Sequence, residues 1–544
     1  MFRQWERKGY GEPGIYRVKD AIIRRARLRL RRFLSILGGP INSRRSQNVI
    51  LAVLCTGIFL AALDQTVVVT VLPRIIDDLG GGFSSAAVER AGWIVISYLF
   101  GFTVVLPLMG RVADLHGQRR TYIIAMLIFA GGSLLCALST SLYMLVGFRA
   151  IQAVGGGAVV PIAMAVVGLR FPPGKRALAL GIIGGAGEAG GVLGPIYGAV
   201  IGQYVGWRAI FYLNLPLVLV IIALVYFLVE ESPRSKLSVD YRSAALLAIG
   251  LGLATLGVSG AREIGWATFG LPFVGLGAAF LAAFIVSDLR AEHPLVNVQL
   301  FANRSYSSAN FAHFLLGVAL ITALVQVPTF AYSSGWPQTS PNAPMIGGLL
   351  LLRLTLMIPV GAVLGGVLTG RIGGRFTAAA GFLLSAFGLW RTSVWPINVS
   401  SVTQTVDLLV TGFGFGLVIA PIALAVINSV RKRRMASASA VLTASRIIGM
   451  SVGLAALNSW GITEFKSTEV PVPVPLPGVN LAQYAQQLQD WEHANIAVIL
   501  RVLSDFFMIS AVLCLVAVIP ALLLFGRGRG LEAQAAEEDE GWED

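Results

Sequence analysis

The stretch GIIGGAGEAGGVLGPIYG, residues 181–198, contains eight glycines and one ionisable residue, Glu188. In a helix, residues three and four positions apart lie on one face, so Gly184 and Gly191 share a face with Glu188. Small residues on one face let two helices pack closely inside a bilayer. A carboxylate in such a helix is costly and is a functional-site hypothesis by default. The stretch therefore predicts a membrane helix whose acid faces protein or a cavity, the alternative being a glycine-rich loop of a soluble protein.

The composition decides between these alternatives. Of the 544 residues, 56% are apolar and 13% are charged, and the mean hydropathy is +0.75. So few charges cannot cover a soluble body of this size, and we expect a polytopic membrane protein. Residues 1–48 lack a long apolar run and a small-residue cleavage site, which argues against a cleaved signal peptide. The three cysteines show no metal spacing, so we expect neither a disulfide framework nor a metal site.

Fourteen apolar segments are long enough to cross roughly 30 Å of hydrocarbon, which takes about 20 residues each. They lie near residues 49–71, 92–110, 121–139, 142–169, 177–202, 209–228, 244–260, 267–286, 306–330, 345–369, 376–395, 405–429, 436–462 and 499–525. The predicted fold class is therefore an all-α polytopic membrane protein with 14 transmembrane helices.

The distribution of arginine and lysine predicts the orientation, because cytoplasmic loops carry an excess of positive charge. With the N-terminus inside, the inner segments hold 32 of these residues and the outer segments hold five, so both termini are predicted to be cytoplasmic. In the basic segment 1–48, residues 17–34 are typical of an amphipathic helix that lies on the lipid bilayer. Nucleic-acid binding is the alternative for that segment, and we predict no nucleic-acid partner. Residues 526–544 are predicted to be a disordered acidic cytoplasmic tail.

Two predicted cytoplasmic loops share their spacing of glycine and arginine. The first is GRVADLHGQRR, residues 110–120, after the second span, and the other is GVLTGRIGGR, residues 366–375, after the tenth. Equal spacing in equivalent loops suggests an internal duplication, although either loop alone could be an ordinary basic loop. The second copy has Gly370 at the position of Asp114.

Further motifs in the first half are LDQTVVVTVLP (63–73), RAIQAVG (149–155), GGVLGPIYG (190–198) and WRAIFYLNLP (207–216). With the 110–120 loop, they make residues 49–525 resemble the major facilitator superfamily, and within it the fourteen-helix drug:proton antiporters. The chain departs from the family pattern at Leu115 and Gln118, where basic residues are usual, and at Ala153, where glycine is common.

The resemblance implies two six-helix bundles, residues 49–228 and 306–525, with two extra central helices in residues 229–305. It also implies a proton-coupled exporter of the bacterial cytoplasmic membrane that needs no cofactor beyond the proton gradient. The family pattern places the conformational gating motif at Gly110, Asp114, Gly117, Arg119 and Arg120. It places the antiporter motif, which marks export, at Gly190, Gly194, Pro195 and Gly198.

A narrower likeness concerns the cargo. Glu188, Arg446 and a long outer extension at residues 463–498 resemble the actinobacterial branch that exports triacylglycerol-type lipids as well as drugs. The implied substrate is a hydrophobic small molecule or a lipid, and a dedicated multidrug efflux pump is the alternative. An intramembrane enzyme is a remote alternative, because the four histidines have no metal spacing and the sequence has no nucleophile motif.

Five ionisable residues are predicted to lie well inside spans, where a lone charge costs at least about 2.5 to 3.5 kcal/mol; they are Asp64, Arg149, Glu188, Arg353 and Arg446. At 1.5 Å per residue, Glu188 lies roughly 16 Å and Arg446 roughly 15 Å from the inner ends of their spans. This matching depth predicts an ion pair between the two halves, with Arg353 as the competing partner. Protonation of Glu188 would weaken the pair and so couple a proton to alternating access; a static salt bridge is the alternative.

Asp64 is the other candidate proton carrier. It lies deeper, roughly 22 Å from the inner end of the first span, beside the polar residues Gln65 and Thr66. Arg149 either pairs with Asp64, orders water along the fourth helix, or has a purely structural role.

The outer extension has two predicted parts. VPVPVPLPG, residues 470–478, is expected to be extended, and the last helix is expected to begin near Leu481 and to project from the membrane; a plain solvated loop is the alternative. A projecting helix would suit the transfer of lipid to a periplasmic lipid-binding protein. We also expect the glycines of the fifth helix to pack against the other bundle.

Overall fold

The protein is described from a computed structural model, which covers residues 44–79, 85–232, 240–264, 266–291, 296, 298–333, 343–396, 399–467 and 481–524. These residues contain fourteen α-helices of 20 residues or more. They are α1 Arg44–Leu79, α2 Ser85–His116, α3 Gln118–Ala137, α4 Leu142–Arg170, α5 Pro173–Tyr204, α6 Trp207–Leu228, α7 Tyr241–Ile264, α8 Leu271–Arg290, α9 Arg304–Ser333, α10 Ala343–Ile372, α11 Gly374–Ser393, α12 Ser401–Asn428, α13 Met435–Ser467 and α14 Leu481–Leu522. Three short helical turns are also present, at Trp266–Gly270, Val298–Ala302 and Lys432–Arg434.

Within the described ranges, twelve helices are long and apolar enough to cross a membrane. The other two are α7 and α11. Among the residues whose side chains are described, the apolar stretch of α7 is the shorter Arg242–Ala254, and α11 contains two arginines and several serines and threonines. The chain is thus an all-helical, multi-pass membrane protein with twelve candidate spans.

The helices form two bundles with the same internal packing. In the first bundle, α1–α6, helix α1 packs on α5, α2 packs on α4, and α3 packs on α4. In the second bundle, α9–α14, the corresponding pairs are α9 with α13, α10 with α12, and α11 with α12. The loops that suggested a duplication also match, because Gly117 and Gly373 occupy the same motif position and have φ values of 98° and 94°. These left-handed conformations favour glycine.

We call the end of the bundles at which α1 begins the proximal face, and the opposite end the distal face. The proximal face includes His116, Arg170 and Ile372, the last residues of α2, α4 and α10. Helices α7 and α8 pack against each other, and α7 also contacts the first bundle through α2. At that contact, a Cβ on Gly252 would lie 2.8 Å from the ring of Phe100.

The two bundles meet mainly through the helix pairs α5 with α10 and α2 with α13, and also through α4 with α13 and α5 with α12. A Cβ on Gly181 of α5 would lie 2.4 Å from the carbonyl oxygen of Ala362, and one on Gly366 of α10 would lie 2.7 Å from that of Ala177. Because real Cβ atoms are not found so close to a carbonyl oxygen, only glycine permits this approach. These contacts lie in the proximal halves of α5 and α10, so the bundles are closed against each other there.

Several predictions concern residues outside the described ranges. These are the amphipathic helix at 17–34, the acidic tail at 526–544 and the proline-rich part of the outer extension. The prediction that the last helix begins near Leu481 is confirmed, since α14 has 42 residues and begins there. The alternative of a plain loop is therefore wrong for residues 481–498. At 1.5 Å per residue α14 is about 63 Å long, roughly twice the thickness of the hydrocarbon core.

Candidate functional site: buried charges within and between the bundles

Asp64 on α1 is fully buried at the centre of a polar cluster inside the first bundle. Nη1 of Arg149, on α4, donates to Oδ2 of Asp64 at 2.5 Å, and Nη2 donates to the backbone carbonyl of Asp64 at 3.2 Å. Oδ1 of Asp64 accepts from Nε2 of Gln152 at 3.0 Å and from Nδ2 of Asn214 at 2.9 Å. The carboxylate therefore has three side-chain donors, which compensate for its removal from water.

The Arg149 side chain is equally enclosed, with no exposed surface. Its guanidinium lies over the ring of Tyr98 at 4.0 Å and donates to Oε1 of Gln152 at 2.8 Å. Asn214 also donates to Oγ of Ser133, at 3.1 Å. The sequence predicted the proximity of Asp64 and Arg149 as one of three alternatives, and it identified Gln152 and Asn214 only as motif positions. Nothing in the sequence indicated that Ser133 and Tyr98 complete this cluster.

Glu188 and Arg446 form an ion pair between the two bundles. Nη1 of Arg446, on α13, donates to Oε1 of Glu188, on α5. The side chains are 16% and 25% exposed, in contrast to the sealed cluster of the first bundle. The partner that the matching depth predicted is therefore in contact with Glu188.

Arg353 is not the partner of Glu188, and that alternative is corrected. Nη1 of Arg353 donates to the backbone carbonyl of Ser401 at 3.4 Å, within the second bundle. Helix α10 begins at Ala343, so Arg353 lies ten residues, roughly 15 Å, from the distal end of that helix. It is partly exposed.

The gating motif contacts the beginning of α13 at the proximal face. Asp114 accepts hydrogen bonds from the backbone N–H groups of Ala436 at 3.1 Å and Ser437 at 2.9 Å, and from Oγ of Ser437 at 2.6 Å. The first N–H groups of a helix have no partner within the helix and carry partial positive charge, so a carboxylate stabilises them. One turn earlier, a Cβ on Gly110 would lie 2.7 Å from the carbonyl oxygen of Ala436. Gly110 and Asp114 thus hold α2 against α13.

The remaining residues of this motif contact the segment after α6. Nε of Arg119 lies 3.5 Å from Oε2 of Glu231, and the backbone N–H of Arg120 donates to Oε1 of the same residue at 3.5 Å. Gly117 adopts its positive φ between α2 and α3, where a Cβ would lie 2.3 Å from Oε1 of Glu231. This part of the motif joins helices of the first bundle rather than the two bundles.

The second copy of the loop makes a different contact. Gly366 packs on α5 as Gly110 packs on α13, but Gly370 replaces the capping acid. Helix α5 begins with Pro173 after the N-cap Pro172. Proline at the first helical position has no N–H that needs a partner, so an acid at position 370 would find fewer donors than Asp114 does.

The glycines of α5 are divided between two partners. The antiporter motif packs on α1 of the same bundle. A Cβ on Gly190 would lie 2.4 Å from the carbonyl oxygen of Phe59, and one on Gly194 would lie 2.0 Å from Oγ1 of Thr66. A Cβ on Gly198 would lie 2.4 Å from Oγ1 of Thr70. Gly181, Gly184 and Gly185 pack on the second bundle instead. The expectation that the α5 glycines pack against the other bundle is thus correct only for the proximal part of the helix. Pro195 lies within the α1-facing part of α5.

Asp407 is a buried acid that the sequence reasoning missed. Asp407 of α12 accepts from Nε1 of Trp395 at 2.9 Å and lies 3.4 Å from Nε of Arg391. It is 5% exposed and belongs to the distal end of the second bundle. The predicted span 405–429 included Asp407, but its position near the end of that span gave no reason to single it out.

The protein has two bundles with repeated packing, which are closed together at one face and joined by buried charges. This arrangement defines a class of membrane protein, the secondary transporters built from structural repeats. The chain belongs to the Major Facilitator Superfamily, whose family model matches residues 54–454. The members of this family and the relatives of the chain are transporters, and the protein is not an enzyme.

Two relatives of this chain from mycobacteria are triacylglyceride transporters. A triacylglyceride transporter of Mycolicibacterium hassiacum is 33% identical over 521 residues, which cover 91% of this chain and 95% of the relative. A triacylglyceride transporter of Mycobacteroides abscessus is 36% identical over 456 residues, which cover 79% of this chain and 86% of the relative.

Solved structures show the same fold at low sequence identity. A human organic anion transporter superposes on this chain with a TM-score of 0.59 at 16% identity, and the match covers 88% of this chain and 99% of the transporter chain. A proton:xylose symporter superposes with a TM-score of 0.55 at 15% identity, covering 85% and 94%. At these identities the likeness concerns the fold alone.

Proposed function

We propose that this protein is a proton-coupled exporter of hydrophobic or amphipathic compounds, with triacylglyceride-type lipids as its natural cargo. The names of the mycobacterial relatives support the lipid assignment, and the antiporter motif of α5 supports export. The observation that carries proton coupling is the ion pair of Glu188 and Arg446, because it places an acid that can take up a proton between the two bundles.

The proposed mechanism uses the difference between the charged and the neutral form of Glu188. While charged, Glu188 attracts Arg446 across the interface and favours the conformation in which the proximal face is closed. A proton on Glu188 removes that attraction, and the bundles can then separate at the proximal face. Protonation can shift the equilibrium between the closed and the open conformation only if it changes the free energies of the two conformations by different amounts. If the pair stays intact in both conformations, it is a static salt bridge.

Asp64 is the second proposed proton carrier. It is enclosed by Arg149, Gln152 and Asn214 and has no exposed surface, so a proton can reach it only after the first bundle has rearranged. Glu188, which is partly exposed, is then the first of the two acids to exchange protons with water. Arg149 remains the partner of Asp64 and orients its carboxylate.

We further propose fourteen spans with the proximal face in the cytoplasm. Helix α11 packs between α12 and α14, and its 20 residues span about 30 Å, so it crosses with its neighbours despite its moderate hydropathy. The excess of arginine and lysine on the proximal side supports the orientation. The part of α14 before Ala497 would then extend into the outer compartment, where a periplasmic lipid-binding protein could receive the cargo.

Transport by reconstituted protein tests this proposal. Purified protein in proteoliposomes should move labelled triacylglycerol only when a pH gradient is imposed, and Glu188→Gln should abolish this transport while remaining folded. Asp77→Asn, an exposed acid at the distal end of α1, is the matched control and should transport normally.

Each alternative predicts a different result of this experiment. Gradient-driven export of a cationic dye without any lipid transport would identify a dedicated multidrug pump. Equal lipid transport with and without the gradient, or unchanged transport by Glu188→Gln, would refute proton coupling through this pair.

A further inference from the structure

His313 is a buried histidine that the proposed mechanism does not use. It lies on α9, is 7% exposed, and its Nδ1 is 2.8 Å from the backbone carbonyl oxygen of Leu442 on α13. A carbonyl oxygen can only accept a hydrogen bond, so this contact assigns the ring proton to Nδ1. His313 is therefore a donor from one helix to the backbone of another.

The accepting carbonyl has a particular position in α13. In an α-helix, the carbonyl of residue i accepts from the N–H of residue i+4, so the carbonyl of Leu442 also belongs to the backbone hydrogen bond of Arg446. A carbonyl oxygen has two lone pairs and can accept both bonds. The side chain of His313 thus contacts the helical turn that ends at Arg446, the arginine of the ion pair.

Further contacts between α9 and α13 surround the same turn. A Cβ on Gly317, one turn after His313, would lie 2.1 Å from the carbonyl oxygen of Arg446. One turn before His313, Oδ1 of Asn310 accepts from Oγ of Ser445 at 3.0 Å. The backbone of Arg446 is therefore held from one side by α9, while its guanidinium extends across the bundle interface to Glu188.

We propose that His313 is a positioning residue for the ion pair: its Nδ1–H bond to the Leu442 carbonyl fixes the turn of α13 from which Arg446 reaches Glu188. The expected effect of His313 on transport rests on the proposed proton coupling. The expected effect of His313 on the ion pair does not depend on the substrate. A neutral imidazole donates this bond without repelling the arginine.

Two substitutions separate the two ring nitrogens. The amide nitrogen of Asn lies at the position of Nδ1 and can donate to Leu442, whereas the amide of Gln lies at the position of Nε2 and cannot. His313→Asn should therefore keep gradient-driven transport within twofold of the parent protein, and His313→Gln should lose about fivefold or more, the equivalent of one net hydrogen bond. His116→Gln is the control, because His116 is exposed and its Nδ1 lies 3.3 Å from the carbonyl oxygen of Val112 in its own helix.

A double-mutant cycle with Glu188→Gln tests whether His313 acts through the pair. We expect His313→Gln to lower the Tm of the purified protein when Glu188 is present and to have much less effect in the Glu188→Gln background. This readout needs no transport, so it decides the inference even if the wild-type protein proves independent of a proton gradient, a result that would refute only the proposed function.

Two results would overturn the positioning role. Equal Tm losses in both backgrounds would show that His313 stabilises the bundle without acting on the ion pair. Rescue of transport by Gln but not by Asn would show that the Nε2 side of the ring matters, as in a direct contact with substrate.

Discussion

An acid–arginine pair lies in the interior of the first bundle and another lies at the interface between the bundles, and the two pairs differ in how they are built. Asp64 and Arg149 belong to one bundle, are fully buried and share further polar partners. Glu188 and Arg446 belong to different bundles and are partly exposed. Rigid-body movement of the bundles can separate the second pair but leaves the first intact.

This difference teaches where a buried charge can serve as a switch. Breaking a sealed pair leaves an uncompensated charge away from water, which costs about 3–5 kcal/mol. A partly exposed pair loses less when it separates, because water replaces the lost partner. The interface pair is therefore suited to open and close in each cycle, and the sealed pair is suited to hold α1, α4 and α6 together.

The largest expected effect comes from breaking the sealed pair. Arg149→Leu should lower the free energy of unfolding by about 3–5 kcal/mol, because Asp64 remains charged or must be neutralised without its main donor. Thermal unfolding of purified protein in detergent measures this as a loss of Tm. The same loss after Glu188→Leu would remove the distinction between the two pairs.

A double variant sharpens this first prediction. Asp64→Leu combined with Arg149→Leu removes both charges, so we expect it to be more stable than either single variant. If the double variant is the least stable of the three, the pair stabilises the bundle through packing rather than charge.

The two pairs also differ in how far the sequence could predict them. The predicted depths favoured Arg446 as the partner of Glu188, since the two predicted spans run from the proximal face and carry their charges ten or eleven residues in. Arg353 was the competing partner, but it contacts Ser401 of its own bundle instead. The interior cluster depends on the relative register of α1, α3, α4 and α6. No spacing within one segment reveals that register, and Ser133 and Tyr98 were missed for this reason.

The packing of glycines was likewise only partly predictable. The sequence shows a continuous glycine-rich helix at residues 181–198, but not that its two ends face different partners. The structure divides it, with Gly181 at the second bundle and Gly198 at α1. Helical periodicity identifies which residues share a face, whereas the identity of the neighbour depends on the tertiary arrangement.

The second prediction concerns the contact between the bundles at the proximal face, from Asp114 to the beginning of α13. Asp114→Ala should speed hydrogen exchange at the amides of Ala436 and Ser437 by about 5–30-fold, since loss of a helix cap costs about 1–2 kcal/mol. Mass spectrometry of peptides from residues 435–445 measures this exchange. Asp77→Ala is the control, and unchanged exchange in Asp114→Ala would show that the carboxylate does not stabilise the closed proximal face.

The third prediction is a smaller shift of the conformational equilibrium by the interface pair. Glu188→Gln should raise the population with an open proximal face about fivefold, as expected for a partly exposed ion pair of up to about 1 kcal/mol. Spin labels at Gly174 and Gly370, which are exposed at the proximal ends of α5 and α10, report the distance between the bundles. Arg353→Gln should leave this distance distribution unchanged, because Arg353 contacts Ser401 of its own bundle.

The smallest effect is expected from an acid at the surface of the first bundle. Hydrogen bonds from Arg208 and Trp207 lower the pKa of Asp78, which lies beyond the apolar part of α1. A lowered pKa in the folded state stabilises the protein above the unfolded value of about 3.9, and this contribution disappears as the pH falls through the folded value. Because Asp78 and Arg208 are 47% and 38% exposed, we expect only a few tenths of a kcal/mol.

Thermal unfolding of wild type and Asp78→Asn between pH 6 and pH 3 measures this contribution. The wild type should be slightly more stable at pH 6, and the difference should decrease as the pH falls toward 3. Other acids titrate in the same range, but they do so equally in both proteins and cancel in the difference. A difference that grows on acidification would mean that Asp78 is stabilised in its protonated form. The contrast between surface and interior charges would then have a different physical origin.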